Sequence, residues 1–380
     1  MGSRVDARFD IAVIGAGIAG ASIAYELAKT TRVLVLERES QPGYHTTGRS
    51  AALFSETYGP PSIQALTRFS RSFYENPPEG FTDTDLLTPR GVLFVARQDQ
   101  QARLDEACRN QSPSGSVRPV DRAEALALWP LLREDYVAAA MMESEARDID
   151  VNALHQGYLR GFRSRGGDLV CNAGLKGLSH NGQWTLETEA GTFFADIVVN
   201  AAGAWVDEVA SLAGVEPIGI IPKRRTAMVV DAPAGTDAHE WPMVVDIDEE
   251  FYLKPDAGRF LISPADATPI EPCDVQPEEL DIAICVDRIQ HAFDIEVRRI
   301  HNSWAGLRSF VADGEPVCGF EPDGRGFFWL AGQGGYGIQS APGLSRFAAA
   351  LVMGEDIPEG LTSHGMSPHT LSPGRLERAA

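Results

Sequence analysis

The segment from Val13 to Glu39 reads as strand, glycine turn, helix, strand and acidic residue. The apolar run Ile11–Ile14 predicts a strand buried on both faces. The residues that follow fit G-x-G-x-x-G, and the sequence then predicts a helix over about Ile18–Lys29. A second strand, Arg32–Leu36, ends at an acidic residue. This order constrains the N-terminal part of the chain to a Rossmann-type βαβ unit.

Each glycine of the pattern has a physical reason. Gly15 permits the tight turn, Gly17 lets the backbone approach a pyrophosphate, and Gly20 lets the helix pack closely on the strand. The N-terminal amides and dipole of the helix point at the phosphates. Glu37 stands where a carboxylate binds a ribose 2′-OH, and it would repel a 2′-phosphate. The unit therefore predicts a dinucleotide site, but it does not separate NAD from FAD.

Composition narrows the class of protein. The 380 residues, 44% hydrophobic and 23% charged, suit a two-domain globular protein with a large core. The net charge of −20 argues against nucleic acid and anionic membrane surfaces as partners. The five cysteines are widely spaced without a C-x-x-C pair, which predicts reduced thiols and no metal site. With no signal peptide or membrane-spanning run visible, we expect a cytoplasmic protein.

Turn-rich stretches at Asn76–Gly91 and Gly214–Lys223 predict domain boundaries. Between them we expect a helix over Asn152–Arg165, a strand over Asp168–Gly177, and a hairpin that runs into a buried strand at Ile197–Asn200. Beyond the second boundary the pattern is β-rich and includes one amphipathic helix. A strand, a glycine loop and a helix then follow Arg325.

These patterns predict an α/β fold with two domains. A Rossmann-type domain is assembled from three segments, residues 1–85, 148–215 and 323–380. The inserted substrate domain is α+β, is dominated by an antiparallel sheet, and takes residues 86–147 and 216–322.

The second glycine loop, Ala331–Gln339, distinguishes the two dinucleotides. Its amides and the dipole of the following helix can stabilise negative charge on a reduced flavin. A reduced nicotinamide is neutral and has no such need. The loop therefore favours FAD over NAD.

Six further stretches carry a family resemblance: GYHTTGRSAA, VVNAAGAW, KRR, FYLKPDAG, WAGLRSF and GQGGYGIQ. With the N-terminal glycine pattern, they resemble the FAD-dependent D-amino-acid oxidases and glycine oxidases over nearly the whole chain. Within that group the likeness is greatest to the D-arginine dehydrogenases. The resemblance implies FAD and oxidation of a D-amino acid to its imino acid by hydride transfer to flavin N5. Water then converts the imino acid to a 2-oxo acid and ammonia.

The flavin is expected to bind without a covalent link. Covalently flavinylated relatives carry their attachment cysteine in the stretch that matches Ala305–Phe310, which here has no cysteine or histidine. The motifs and the resemblance together assign cofactor binding to Gly15, Gly17, Ile18, Ala19, Gly20, Glu37, Arg38, Thr47, Gly48, Arg49, Ser50, Ala51, Leu175, Ala201, Gly203, Trp205, Arg308, Gly332, Gly334, Gly335, Tyr336, Gly337, Ile338 and Gln339.

A carboxylate substrate in an apolar flavin pocket needs forked cationic donors. Arg225 and Arg308 are the candidates, because each lies within or beside apolar sequence. Strand alternation places Arg224 and Arg225 on opposite faces without showing which faces the flavin. The resemblance selects Arg225.

The resemblance assigns three more groups to the substrate. Tyr58 and Tyr252 match tyrosines that help to hold the carboxylate, and the backbone carbonyl of Gly335 would accept a hydrogen bond from the amine. No protein base for the amine proton can be named.

The side-chain end of the pocket is predicted to be apolar. Where the D-arginine dehydrogenases carry an acidic residue this chain has Val92, and where they carry a histidine it has Leu53. Because burying an unpaired guanidinium is costly, we expect neutral and apolar D-amino acids to be preferred. Glu56 or Asp85 is the alternative source of a pocket carboxylate.

Other functions stay open from the sequence. The same flavin site could oxidise an N-methyl or secondary amino acid, or a 2-hydroxy acid. An NAD-dependent dehydrogenase and a flavin-binding subunit without catalysis are the alternatives from other classes. The electron acceptor can be oxygen, a quinone or another carrier.

Overall fold

The computed structural model describes residues 7–111 and 117–377. Its strands are β1 (Ala7–Ile14), β2 (Val33–Leu36), β3 (Leu53–Phe54), β4 (Leu87–Pro89), β5 (Val92–Ala96), β6 (Val117–Val120), β7 (Ala139–Glu143), β8 (Arg147–Ile149), β9 (Asp168–Val170), β10 (Leu175–His180), β11 (Trp184–Thr188), β12 (Gly191–Asn200), β13 (Ile221–Asp231), β14 (Met243–Asp246), β15 (Tyr252–Asp256), β16 (Arg259–Ser263), β17 (Ile300–Phe310), β18 (Val317–Phe320) and β19 (Phe327–Ala331). Its helices are α1 (Ile18–Leu27), α2 (Pro61–Glu75), α3 (Gln101–Gln111), α4 (Arg122–Leu128), α5 (Val151–Ser164), α6 (Val206–Leu212), α7 (Glu279–Ala292), α8 (Gly337–Met353) and α9 (Glu359–Thr362).

The first sheet is the Rossmann sheet. Its parallel strands run in the order β9, β2, β1, β12 and β19. Antiparallel strands extend it, with β11 and β10 beside β12 and β18 beside β19. Strands from three separate parts of the chain therefore share one sheet, which confirms the predicted α/β fold class.

Both faces of this sheet are buried, which explains its continuous apolar strands. Val13 and Val35 pack on one side, in a core that includes Ile23 of α1 and Phe347 of α8. Their neighbours Ala12 and Leu34 pack on the other side, in a core that α6 helps to cover. Because successive residues of a strand point to opposite faces, each position must be apolar.

The second sheet runs in the order β17, β13, β16, β15, β14, β5, β7 and β6. All its pairs are antiparallel except β14 with β5. One face packs on α7 around Phe260 and Ile289. The opposite face carries a smaller apolar cluster that includes Val92, Met243 and Tyr252. That opposite face forms one wall of the functional site.

A small third sheet of β3, β8 and β4 links stretches that the sequence places on either side of the predicted domain boundaries. The strand β18 lies in the range predicted for the substrate domain and pairs with β19 of the first sheet. The domain boundaries themselves stay a prediction.

Two local expectations need correction. The single strand predicted over Asp168–Gly177 is two strands, β9 and β10. They are separated at Asn172, whose φ of 51° is incompatible with an extended strand. The predicted helix over Ile18–Lys29 ends at Leu27.

Candidate active site

One continuous cavity runs from the N-terminal glycine loop to the apolar face of the second sheet. It lies at the carboxyl ends of β1, β2 and β12, where open parallel sheets bind their ligands. Its volume of about 370 Å³ falls within the range of small-molecule sites.

The N-terminal glycine loop has the conformation that its sequence requires. Gly15 has a φ of +97°, and a Cβ there would lie 2.6 Å from the carbonyl oxygen of Ala201. A Cβ on Gly20 would lie 1.8 Å from the carbonyl oxygen of Gly15, so Gly20 sets the close packing of α1 on β1. The amide of Ile18, the first residue of α1, donates to Thr47 Oγ1 at 2.9 Å.

The carboxylate of Glu37 lies where β2 ends and lines the cavity. It accepts from the amides of Ala16 at 2.8 Å and Glu39 at 2.9 Å, which fixes it beside the glycine loop. A carboxylate has further lone pairs, so it can still accept from ribose hydroxyls. His155, which the sequence analysis did not single out, hydrogen-bonds the Ala16 carbonyl through Nε2 at 2.9 Å. Burial lowers the pKa of His155, which favours the neutral ring.

The second glycine loop meets the same cavity at the start of α8. Gly334 has a φ of +53°, and a Cβ there would lie 2.2 Å from the ring of Phe310. Gln333 lines the cavity, and its buried Nε2 has no hydrogen-bond partner among the residues that the structure describes. An acceptor on a bound flavin nucleotide would satisfy that donor, so the residues present fit the cofactor.

Arg49 connects its loop to the second sheet. Its guanidinium donates to the carbonyl oxygens of Val275 and Ala305, each at 3.0 Å, and pairs with Asp274. Trp304 Nε1 in turn donates to the Arg49 carbonyl at 2.9 Å. These contacts hold the stretch Thr47–Ala51 against the second sheet.

The structure brings most of the predicted cofactor residues to the cavity wall, and they are Gly15, Gly17, Ile18, Ala19, Glu37, Arg38, Thr47, Arg49, Ser50, Ala51, Leu175, Ala201, Gly203, Trp205, Arg308, Gly334, Gly335, Gly337, Ile338 and Gln339. Four others are absent from the wall: Gly20, Gly48, Gly332 and Tyr336. Gly48 packs against the Gly43 carbonyl, and the Tyr336 ring packs on the Tyr58 ring at 4.9 Å. The cofactor role of these four residues stays a prediction.

Two arginines converge at the end of the cavity that the second sheet forms, which is called the substrate end below. Arg225 of β13 and Arg308 of β17 both line it. Arg225 Nε donates to the Asp266 carbonyl at 2.8 Å, and Arg308 Nη1 donates to the Tyr58 hydroxyl at 3.3 Å. Within the described residues neither guanidinium has an ion-pair partner. Burial and the positive charge of Arg308 lower the pKa of Arg225, although an arginine stays charged at neutral pH.

Strand alternation separates Arg225 from its neighbour. Arg224 is 3% exposed and points away from the cavity, into an acidic cluster of Asp266, Glu278 and Asp281. The sequence could not choose between the two arginines, whereas the structure directs Arg225 to the cavity.

The remaining wall of the substrate end is mainly apolar. Val92 is 1% exposed, and it lines the cavity with Phe94, Leu53, Met243 and Val245. Tyr252, 8% exposed, adds its ring to the same wall. Phe94, Met243 and Val245 were not singled out from the sequence, although the i, i+2 spacing from Val92 would have indicated Phe94.

The carboxylate that lines the cavity is neither of the two alternatives predicted from the sequence. Glu56 is paired with Arg71 at 2.7 Å, Asp85 is exposed, and neither lines the cavity. Glu249 does line it, from the turn between β14 and β15, with a φ of 57°. A positive φ at a glutamate follows from tertiary structure, so no sequence pattern indicates it.

Comparisons with known proteins agree with this geometry. Residues 10–351 match the family model described as FAD dependent oxidoreductase, so the chain belongs to that family and depends on FAD. It is 26% identical over 378 residues to glycine oxidase of Geobacillus kaustophilus, covering 95% of this chain and 97% of that one. It is 26% identical over 370 residues to human mitochondrial sarcosine dehydrogenase, covering 89% of this chain and 39% of the relative.

A solved structure has the same fold. The crystal structure of glycine oxidase from Geobacillus kaustophilus superposes with a TM-score of 0.85 at 24% identity, covering 98% of this chain and 100% of that one. In residues 7–111 and 117–377 no helix is long and apolar enough to cross a bilayer. The same residues contain no cluster of three or more His, Cys, Asp or Glu side chains arranged to hold a metal ion.

Proposed function

We propose that this chain oxidises a neutral D-amino acid to its imino acid, which water converts to a 2-oxo acid and ammonia. The observation that carries the proposal is the pair Arg225 and Arg308, which line one cavity without an ion-pair partner among the described residues. Charges withdrawn from water cost free energy unless an opposite charge joins them. A substrate carboxylate supplies that charge, and the forked guanidinium groups match its geometry.

The neighbouring groups complete the binding of the carboxylate. The Tyr58 hydroxyl accepts from Arg308 and keeps its own proton to donate to the substrate. Tyr252 lies on the same wall. Gly335 lies against Arg308, because a Cβ on it would be 2.8 Å from Nη1. Its carbonyl oxygen is proposed to accept from the substrate amine, which orients Cα.

The clamp provides orientation for the chemical step. When bound, FAD supplies the acceptor of the hydride that leaves the substrate Cα. Holding the carboxylate and amine at fixed positions limits the approach of Cα–H to one direction, which accounts for a large share of such catalysis. The amine must be neutral in this step, so that its lone pair assists.

The apolar wall sets the proposed side-chain preference. Val92, Phe94 and Met243 offer no counter-charge to a cationic side chain. Glu249 also lines the cavity, but its negative charge acts on Arg225 and Arg308, where it favours the charged form of both guanidinium groups. D-methionine, D-phenylalanine, D-leucine and D-proline are therefore proposed as better substrates than D-arginine. The D configuration rests on the resemblance of the sequence motifs to the D-amino-acid oxidases. The five free cysteines are consistent with a cytoplasmic location.

An N-methyl amino acid is the second candidate. Sarcosine dehydrogenase aligns with 89% of this chain, and a carboxylate clamp does not exclude a secondary amine. A 2-hydroxy acid would use the same clamp and is the third candidate.

The test is anaerobic mixing of the purified holoprotein with D-amino acids, L-amino acids, N-methyl amino acids and 2-hydroxy acids. Flavin absorbance reports reduction. We expect neutral D-amino acids to reduce the flavin fastest. Faster reduction by sarcosine would establish the second candidate, and absence of reduction by every amino acid would refute the proposal.

The mode of flavin attachment has its own test. Cys318 is buried in β18, outside the stretch that carries the attachment cysteine in flavinylated relatives. We expect acid precipitation to release all of the FAD into the supernatant. Yellow colour that stays with the protein pellet would contradict non-covalent binding.

A further inference from the structure

A buried carboxyl group lies behind the apolar wall of the cavity. Glu143, the last residue of β7, is only 1% exposed. Its Oε2 accepts from the hydroxyls of Ser55 and Thr57, each at 2.8 Å, and the main chain of Thr57 adds a hydrogen bond. Within the described residues no cation pairs with it. Such a group is costly to bury, and cores that serve packing alone avoid it.

The register of the second sheet places Glu143 beside the substrate pocket. It lies directly opposite Val92 in the antiparallel pair of β5 and β7. Residues directly opposite each other in such a pair project to the same face of the sheet. Val92 lines the cavity, so Glu143 lies one strand further from the arginines on the cavity-facing side.

The two hydroxyls that bind Glu143 belong to the stretch Ser55–Gly59, which comes from the flavin-binding part of the chain. Gln339 at the start of α8 holds the same stretch, since its amide group contacts the Ser55 amide and the Tyr58 carbonyl, each at 3.3 Å. Gln64 of α2 donates to the carbonyls of Thr57 and Gly59 at 3.2 and 2.9 Å. Glu143 adds the tie to the second sheet.

Tyr58 is the residue of this stretch whose side chain contacts Arg308 in the site. Its hydroxyl meets Arg308 Nη1 at 3.3 Å, and Gly59 follows with a φ of +96° that turns the chain towards α2. A residue held only by its neighbours in sequence would not keep its hydroxyl at one position. The tie from Thr57 to Glu143 fixes the residue directly before Tyr58.

We propose that Glu143 is a positioning residue, which holds the stretch Ser55–Tyr58 so that the Tyr58 hydroxyl meets both Arg308 and the substrate carboxylate. The inference rests on the proposed function, because it takes a carboxylate as the ligand of the two arginines. It adds a residue from β7, a strand that provides no lining residue of the cavity.

A merely structural tie makes a different prediction from a positioning role. Loss of a structural hydrogen bond weakens the fold and leaves the energetic contribution of the Tyr58 hydroxyl unchanged. Loss of positioning removes that contribution. A double-mutant cycle between Glu143 and Tyr58 separates the two, because it measures how far one change depends on the other.

The experiment uses the FAD-loaded protein and 4-methylpentanoate, the leucine skeleton without its amine, which binds as a carboxylate and cannot be oxidised at nitrogen. The dissociation constant is read from the perturbation of flavin absorbance. Glu143→Leu is measured alone and with Tyr58→Phe. Glu143→Gln keeps an oxygen acceptor for both hydroxyls. Glu145→Leu is the matched control, since the Glu145 side chain is 56% exposed.

With Tyr58 present, Glu143→Leu should weaken binding about tenfold, which corresponds to about 1.4 kcal/mol. With Tyr58→Phe the same change should have less than about a twofold effect. Glu143→Gln should restore most of the affinity, and Glu145→Leu should leave it unchanged. Should Glu143→Leu fail to fold, Thr57→Val tests the same tie from the other side and should show the same dependence on Tyr58.

Equal losses with and without the Tyr58 hydroxyl would overturn the proposal, as would an unchanged affinity. Failure of the proposed function is recognised separately. If 4-methylpentanoate binds and no amino acid reduces the flavin, the reaction is wrong while the cycle still decides the role of Glu143. If the wild type does not bind the carboxylate, the arginine clamp is wrong and this inference fails with it.

Discussion

The two ends of the cavity are built in different ways. At the nucleotide end, Gly15, Gly17 and Glu37 come from one short stretch. The cavity wall there presents mainly backbone groups and one carboxylate to a ligand. At the substrate end the wall combines side chains from distant stretches, among them Tyr58 and Arg308. A site made of backbone depends on the absence of Cβ atoms, whereas a site made of side chains depends on the charges and hydroxyls brought together.

This difference implies that the two ends fail differently when they are altered. A small added side chain should abolish cofactor binding at one end. At the other end, removal of a charged group should leave FAD bound and weaken the binding of the substrate.

The largest effect is expected for Gly20→Ala. The added Cβ would lie 1.8 Å from the Gly15 carbonyl oxygen, so α1 must move away from β1 and the loop must change shape. We expect loss of bound FAD and a destabilisation at the upper end of the about 1–3 kcal/mol that is typical of overpacking. The flavin-to-protein absorbance ratio and thermal unfolding measure the two effects.

Gly374→Ala is the matched control. A Cβ there would meet only Ser372 Oγ, at 3.5 Å, which is ordinary contact. This variant should retain a full complement of FAD. Full FAD content in the Gly20 variant as well would show that FAD binding at the nucleotide end does not depend on the absence of a Cβ atom at this position.

The next largest effect is expected for Arg308→Met. Losing one buried charge-assisted contact to a carboxylate should lower kcat/KM by the equivalent of about 2–5 kcal/mol of transition-state stabilisation, while FAD stays bound. Arg346→Met is the control, because Arg346 lies exposed on α8. Stopped-flow reduction at several substrate concentrations measures both binding and rate. Unaltered kinetics in the Arg308 variant would show that this arginine has a structural role only.

A smaller effect is expected for Val92→Glu, which should raise kcat/KM for D-arginine relative to D-leucine by about 10–100-fold. The new carboxylate would lie directly opposite Glu143, and like charges across a strand pair destabilise a sheet. The variant should therefore unfold at lower temperature, and adding Glu143→Gln should restore part of the loss. Val92→Gln, uncharged, should not favour D-arginine. A wild-type kcat/KM for D-arginine above that for every neutral D-amino acid would refute the predicted preference.

The smallest effect concerns pH. Burial, with the charge of Glu56 as a minor cause, raises the pKa of Glu143 above its usual 4.5. An acid whose pKa is raised in the folded state contributes stability below its unfolded pKa and loses it as pH rises through the folded value. Glu143→Gln has no such loss. Its free energy of unfolding should therefore gain on the wild type as pH rises above about 4.5. If the free energies of unfolding of the two proteins changed in parallel with pH, the raised pKa would be contradicted.

The nucleotide end could be predicted from the sequence because its determinants are local. The order of strand, glycine loop and helix fixes the path of the backbone, and Gly15 and Gly20 fill the roles that their spacing predicts. The α/β fold class followed from the same periodicities. The break between β9 and β10 was missed because Asn172 tolerates a positive φ that leaves no pattern in the sequence.

The substrate end could not be predicted in the same way. Alternation shows that Arg224 and Arg225 face opposite sides, but which side holds the ligand depends on the pairing of β13 with distant β17. Glu143 and Glu249 reach their places through register and turn geometry that depend on the whole sheet. The family resemblance supplied Arg225, Tyr58 and Tyr252, and it identified Leu53 and Val92 as positions in which this chain differs.

The carboxylate clamp is tested most directly by comparing D-leucine with 3-methylbutylamine, the same amine without its carboxylate. Both are mixed anaerobically with the holoprotein, and flavin absorbance is followed. If Arg225 and Arg308 hold the substrate by its carboxylate, D-leucine reduces the flavin and 3-methylbutylamine at the same concentration does not. Equal reduction by the two compounds would contradict the carboxylate clamp on which the proposed function depends.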